Sequence, residues 1–299
     1  MNNKRRLFST LLCVAALTAG LFVSGCGSDK AGGIGSVVSS VVDGGSDEKA
    51  AAKLNTLIDA TNRFNGDNAT WGQNYADSLA KLKGGFQEGA IGRQPHYDTL
   101  KDALEKSKKE GSTFKEVDTE RDNVLNILNE LVPTFKDLKA YDDSKAYMND
   151  GGAKGKELAA KYVAQVEKFD AAYAKFNDAL NKANTEQTKK QIEKLKKDGK
   201  KGYAAAMEST LRLTTLVENV EKAPKNADKQ AVEKELNEIQ TLLKSINNDR
   251  GEVLVNSYNS VVGSVRQVLN DANENNLNDM IENFNNYIES YNNTTPDQF

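Results

Sequence analysis

The chain has 299 residues, 38% of them hydrophobic and 28% charged, with a formal net charge of −3. That is polar for a folded protein but not disordered by composition, and long enough for one large domain or two ordinary ones. The near-neutral balance excludes the broad basic excess of a nucleic-acid binder, and four prolines with abundant Ala, Lys, Glu, Asn and Leu favour helices with wide solvated faces.

Residues 1–25 read as an export signal. Lys4, Arg5 and Arg6 make a positive start, residues 7–25 carry no charge, and small residues precede Cys26. Nineteen uncharged residues, 7–25, also just suffice to span a bilayer. The Thr, Ser and Gly content and the small-residue exit favour a cleaved signal instead. Val23-Ser24-Gly25-Cys26 resembles a bacterial lipobox. That resemblance implies a diacylglyceryl group on the Cys26 thiol and cleavage between Gly25 and Cys26. A thiol is needed because a thioether forms; small residues are needed because the peptidase reaches the bond closely. The plain alternative is an ordinary cleavage site with an incidental cysteine. Several acyl chains on Cys26 would hold the protein stably in lipid, since each buried methylene contributes about 0.8 kcal/mol. Gly27 follows the cysteine where Asp would mark an inner-membrane lipoprotein. The expected location is therefore the cell envelope: the outer side of the cytoplasmic membrane or, in a two-membrane cell, the outer membrane. Losing Lys4, Arg5 and Arg6 takes 40 basic residues to 37 against 43 acidic, a net of −6, and Cys13 leaves with the signal.

Residues 26–46 read as a lipidated cysteine followed by a Gly/Ser tether. Ile34, Val37, Val38, Val41 and Val42 fall at helical spacing, but Val and Gly are poor helix formers and favour a linker. Residues 47–299 read as one all-helical domain. Leu54, Leu57, Ile58 and Phe64 predict a first helix that Gly66 ends; Trp71, Tyr75, Leu79 and Leu82 predict a second, ended by Gly84-Gly85. Pro95 opens a shorter helix with Tyr97, Leu100 and Leu104. Phe114, Val117, Arg121, Val124, Leu128, Leu131, Phe135 and Leu138 then alternate by three and four, a heptad rhythm that Pro133 should bend or loosen. Arg121 on this seam is read as a packed stem with its head in water, rather than a buried charge paired with a carboxylate. After Gly151-Gly152 a seam runs from Leu158 to Leu195 and weakens between Ala183 and Gln191. Gly199 and Gly202 bracket a turn. Further helices carry Tyr203, Met207, Leu213 and Val217; Val232, Leu236, Ile239, Leu243 and Ile246; Tyr258, Val262, Val265 and Leu269; and Leu277, Ile281, Phe284, Ile288 and Tyr291. The expected fold is all-α: an elongated antiparallel helical bundle with a long coiled-coil-like helical hairpin.

YDDSKAYMNDGGAKGKELAAKYVAQVEKFDAAYAKFNDAL (141–180), with KLNTLIDATNRFN (53–65) and YNSVVGSVRQ (258–267), resembles the YiiG-like bacterial lipoproteins, built around a domain of unknown function. The resemblance covers nearly all of the mature chain. It implies a helical, membrane-anchored envelope protein and carries no catalytic motif.

Residues for chemistry are few. His96 is the one histidine, and with no mature cysteine it cannot assemble the usual zinc site, so no metal or cofactor is expected. No nucleophile-elbow pattern accompanies it, and beside Pro95 it reads as exposed. Asp142 with Asp143, and Asp118 with Glu120, are carboxylate pairs that charged helices produce by chance. KKQIEKLKKDGKK (189–201) is locally basic and suited to anionic headgroups or an acidic polymer, or is simply a solvated tip. NNLNDMIENFNNYIESYNN (275–293) offers Asn and Tyr for glycan, but helical spacing turns the aromatics inward. The function expected is a non-enzymatic binding or scaffolding module with membrane lipid, through acylated Cys26, and an envelope protein or wall component as partners. The alternative is a carboxylate-based hydrolase acting on envelope material.

Overall fold

A computed structural model describes residues 46–92, 95–111, 114–295 and 298–299; the expected signal, Gly25, Cys26 and the tether up to residue 45 lie outside them. Among the described residues the structure is helical, with no strand, as the three-four spacing predicts. The helices are α1 (Ser46–Lys83), α2 (Tyr97–Lys109), α3 (Lys115–Asp143), α4 (Tyr147–Asp150), α5 (Ala153–Lys197), α6 (Lys201–Lys222), α7 (Lys229–Lys244), α8 (Asp249–Asn270) and α9 (Glu274–Asn292), with a 3-10 turn at Pro224–Asn226. Where the periodicity predicts one domain over 47–299, the packing forms two compact units. One is Lys53–Ala183; the other comprises residues 46–52 and Asn184–Phe299. The division falls inside α5 where its apolar rhythm weakens, and the polar Asn184 and Thr188 are buried there.

In the first unit α1 corrects an expectation. Gly66 reads as a stop, yet the helix runs through it to Lys83. An interior Gly costs about 1 kcal/mol relative to Ala. Leu54, Leu57, Ile58 and Phe64 before it and Tyr75, Leu79 and Leu82 after it are all buried, and each large apolar side chain contributes about 1.5–3 kcal/mol by burial. Burial on both sides outweighs one glycine. α2 buries Tyr97, Leu100 and Leu104 and packs on α3, which buries Val117, Val124, Leu125, Leu128, Leu131 and Leu138. Pro133 lies on the exposed face of α3, and the helix continues past it to Asp143. Its missing N–H therefore falls on a side that water reaches.

The turn from α3 to α5 is built around Asp150. Its carboxylate accepts from the Tyr141 hydroxyl at 2.5 Å and from the backbone N–H of Gly152 and Lys154 at 2.9 and 3.1 Å. Phe86 packs edge-on against Tyr141 at 5.1 Å between ring centres. Gly155 is needed here: a Cβ would sit 2.6 Å from carbons of both Phe86 and Tyr141.

In the second unit α6 is buried on nearly every side, from Tyr203 through Ala204, Ala205, Ala206 and Met207 to Leu213, Val217 and Val220. It packs on α7, α8 and α9, and its small residues let those neighbours approach. The α5–α6 hairpin closes at Gly199, whose φ is 76°, and Lys196 Nζ reaches Glu208 at 2.9 Å across it. Side chains cap the later helices: Asp228 accepts from Gln230 and Ala231, Asn248 from Gly251, and Asn273 from Asn276. The stripe of α9 is rotated from the predicted one. Met280, Phe284, Tyr287 and Tyr291 are buried, while Leu277, Ile281 and Ile288 are half-buried on its shoulder.

Candidate functional site

The residues with catalytic potential in the sequence do not converge. His96 is exposed ahead of α2 and makes no side-chain cap. Asp143 pairs with Lys139 at 2.8 Å, whereas Asp142 faces the Gly89 N–H at 3.5 Å. Glu120 accepts from Asn123 at 3.0 Å, and Asp118 binds Arg121 at 2.7 Å. Arg121 corrects the expectation of a head in water. Its side chain is only 5% exposed and also donates to Asp122 at 3.0 Å, while Asp122 binds Lys108 of α2 at 3.0 Å. Burial pushes the Asp122 carboxyl up, but hydrogen bonds from Lys108 and Arg121 outweigh it and hold the group below its usual range. The acids at three before and one after Arg121 were the sequence signal for this cluster.

The polar core of the first unit was not visible in the sequence. The hydroxyls of Tyr75 and Tyr97 hydrogen-bond at 2.9 Å in the interior, and Tyr173 donates to Asn65 at 2.8 Å. Phe64, Tyr97, Phe169 and Tyr173 surround them with ring centres 5.0–5.9 Å apart. Burial pushes the Tyr75, Tyr97 and Tyr162 phenols well up. Asp170 on α5 borders this group. Burial raises its carboxyl to about 6; Lys83 on α1 opposes the rise and Glu167 adds to it. In the second unit Tyr287 meets Thr210 at 3.0 Å, and Tyr258 donates to the Leu236 carbonyl at 2.5 Å. Burial raises Glu221 to about 7; Glu218 adds to this and Lys222 opposes it. Burial also raises Asp59, with Arg63 opposing.

A proton-holding carboxyl is one part of acid–base chemistry. Asp59, Asp170 and Glu221 each face a different cation, and none is perturbed by another. Among the described residues no group of His, Cys, Asp and Glu has metal-binding geometry.

The end of α5 is exposed and strongly basic. Lys189, Lys190, Glu193, Lys194, Lys197 and Asp198 line an open recess of about 490 Å³ on that helix face. Glu193 is engaged by Lys196 at 3.3 Å, and hydrogen bonding to Glu208, more than to Glu193, raises the Lys196 ammonium above its usual value. Lys200 and Lys201 follow across the Gly199 turn.

A family model described as a protein of unknown function, DUF3829, matches residues 48–280. The chain belongs to the DUF3829 family. No curated protein and no solved structure matches it. The DUF3829 region begins within two residues of the start of α1 and takes in Arg121, the tyrosine network, Asp170 and the basic end of α5. It stops inside α9, at Met280, before Phe284, Tyr287 and Tyr291, which complete the core of the second unit. At the C-terminus of this DUF3829 protein Phe299 packs on Tyr203 with ring centres 5.5 Å apart, and Asn248 donates to the Gln298 carbonyl at 2.9 Å.

Proposed function

We propose that this DUF3829 protein is a YiiG-like envelope lipoprotein, cleaved between Gly25 and Cys26 and held in the membrane by acylated Cys26. It would sit on the outer side of the cytoplasmic membrane or, in a two-membrane cell, on the outer membrane. The helical region then acts as a non-enzymatic binding or scaffolding module for another envelope component. The observation that carries the reading is Val23-Ser24-Gly25-Cys26 behind a basic start and an uncharged run. No helix among the described residues is long and apolar enough to cross a membrane; on this reading attachment rests on Cys26.

That Asp59, Asp170 and Glu221 each face a different cation and do not perturb one another supports a binding role over a hydrolytic one. The second reading, a carboxylate-based hydrolase, draws on Asp170 at about 6 and Glu221 at about 7, values suited to a general acid. The anchor is tested with Cys26→Ser in growing cells fed a palmitate analogue. The expected outcome is uncleaved precursor without label. Label on the variant, or normal cleavage, would reject the anchor.

A further inference from the structure

We propose that the basic end of the α5–α6 hairpin is a docking surface for anionic phospholipid headgroups. The inference rests on the lipoprotein reading, since it names the surface on which the anchored module lies.

Four observations carry it. First, residues 189–201 hold seven lysines against Glu193 and Asp198, in a mature chain whose net charge is −6. Attraction to a negative surface is strongest where cations cluster, and this segment reverses the sign of the chain around it. Second, helical spacing puts Lys189, Lys190, Lys194 and Lys197 on one face, around an open recess. An open face meets a layer of headgroups; an enclosed pocket would select a single anion. Third, every cation in the run is lysine. Lysine is a compact, hydrated point charge on a flexible stem, suited to a diffuse headgroup layer, whereas arginine forks suit discrete bidentate phosphate recognition. Fourth, the compact unit that carries the basic end also contains residues 46–52, where the chain arrives from Cys26. A segment as long as residues 26–45 spans at most roughly 70 Å. The described chain thus begins in the unit that carries the lysines, and a tether of that reach brings a lipid surface to it.

The test uses the 26–299 chain with Cys26→Ser, which contains every described residue and has no acyl chain. It is sedimented with phosphatidylcholine vesicles and with vesicles one-third phosphatidylglycerol, at low and high salt. Lys189→Gln/Lys190→Gln/Lys194→Gln/Lys197→Gln is compared with Lys136→Gln/Lys139→Gln/Lys154→Gln/Lys161→Gln, which changes net charge equally from other exposed positions. The expected result is binding to the anionic vesicles alone, lost at high salt, and weakened about fivefold per lysine removed in the first variant but not the second. Equal weakening in both variants would overturn the site, as would equal binding to neutral vesicles. Capture by soluble polyphosphate with no vesicle binding would also overturn it and assign the face to an acidic polymer. Acylation of Cys26 is scored separately, from the mass of the N-terminal peptide. A failed anchor and a failed docking surface therefore give different results.

Discussion

Asp170→Asn should make the protein more stable at alkaline pH and leave it unchanged at acid pH. The Asp170 carboxyl is mostly buried on α5, facing Lys83 and Tyr75 of α1, Tyr97 of α2, and Tyr162 and Glu167 of its own helix. Burial raises its folded-state value from 3.8 to about 6. The folded chain therefore holds a proton in this range that the unfolded chain releases. The stability it contributes is fully present below about pH 4 and is lost as pH rises through about 6. At 1.36 kcal/mol per pH unit the gap corresponds to about 3 kcal/mol by pH 8. Asparagine keeps the shape and never ionises. Urea unfolding of the 26–299 chain should give equal stabilities for variant and wild type near pH 4. By about pH 8 the variant should lead by about 1–3 kcal/mol. Glu221, at about 7, titrates in the same direction in the other unit, but it is common to both proteins and cancels in the difference. A gap that does not change with pH, or an Asp170→Asn variant less stable at about pH 8, would refute the reasoning.

Arg121→Met should cost about 2 kcal/mol or more, because Asp118, only 16% exposed, loses the cation that balances it. Adding Asp118→Asn should recover part of the loss, and a non-additive double-mutant cycle in urea midpoints would show it; a cost below about 0.5 kcal/mol would remove the ion cluster from the account. Gly155→Ala should destabilise by about 1–3 kcal/mol, since its Cβ would press on Phe86 and Tyr141. Gly263→Ala, in the middle of α8 with open space around the added carbon, should instead stabilise by about 0.5–1 kcal/mol. Thermal midpoints moving the same way in both would contradict this.

The apolar positions were legible in the sequence because a helix repeats every 3.6 residues whatever it packs against. Leu54, Ile58, Leu128, Phe176 and Leu243 fall in the core as their spacing predicts. Gly66 was misleading because propensity is local and small, while the burial on both sides of it is tertiary and large. The α9 stripe was placed about one position off because Ile281 and Tyr287 are similarly apolar to a periodicity count. Thr210 on α6 separates them, by accepting or donating at the Tyr287 hydroxyl. The end of α5 was legible as charge, and helical spacing alone groups its lysines on one face. The tyrosine network was not legible, because Tyr75 and Tyr97 meet only once α1 and α2 are packed.

That network has a structural explanation that needs no catalytic one. Seams of Leu, Val and Phe can slide by a helical turn at modest cost, since one apolar contact replaces another. A buried hydroxyl does not slide: Tyr75 to Tyr97, Tyr173 to Asn65, Tyr287 to Thr210 and Tyr258 to Leu236 each fix a distance of 2.5–3.0 Å between helices. A shift of one turn moves the partner by about 5.4 Å and leaves a buried polar group without its bond, at about 1–3 kcal/mol each. In helices so rich in Lys and Asn, apolar surface is limited and registry must come from elsewhere. The tyrosines supply both, a large apolar ring for the core and a hydroxyl that admits one alignment. Their raised phenol values then follow from burial, the price of registry, and so does the proton held at Asp170 beside them. On this argument replacing Tyr97 by Phe relaxes helix alignment and leaves the exposed lysine face at the end of α5 unchanged.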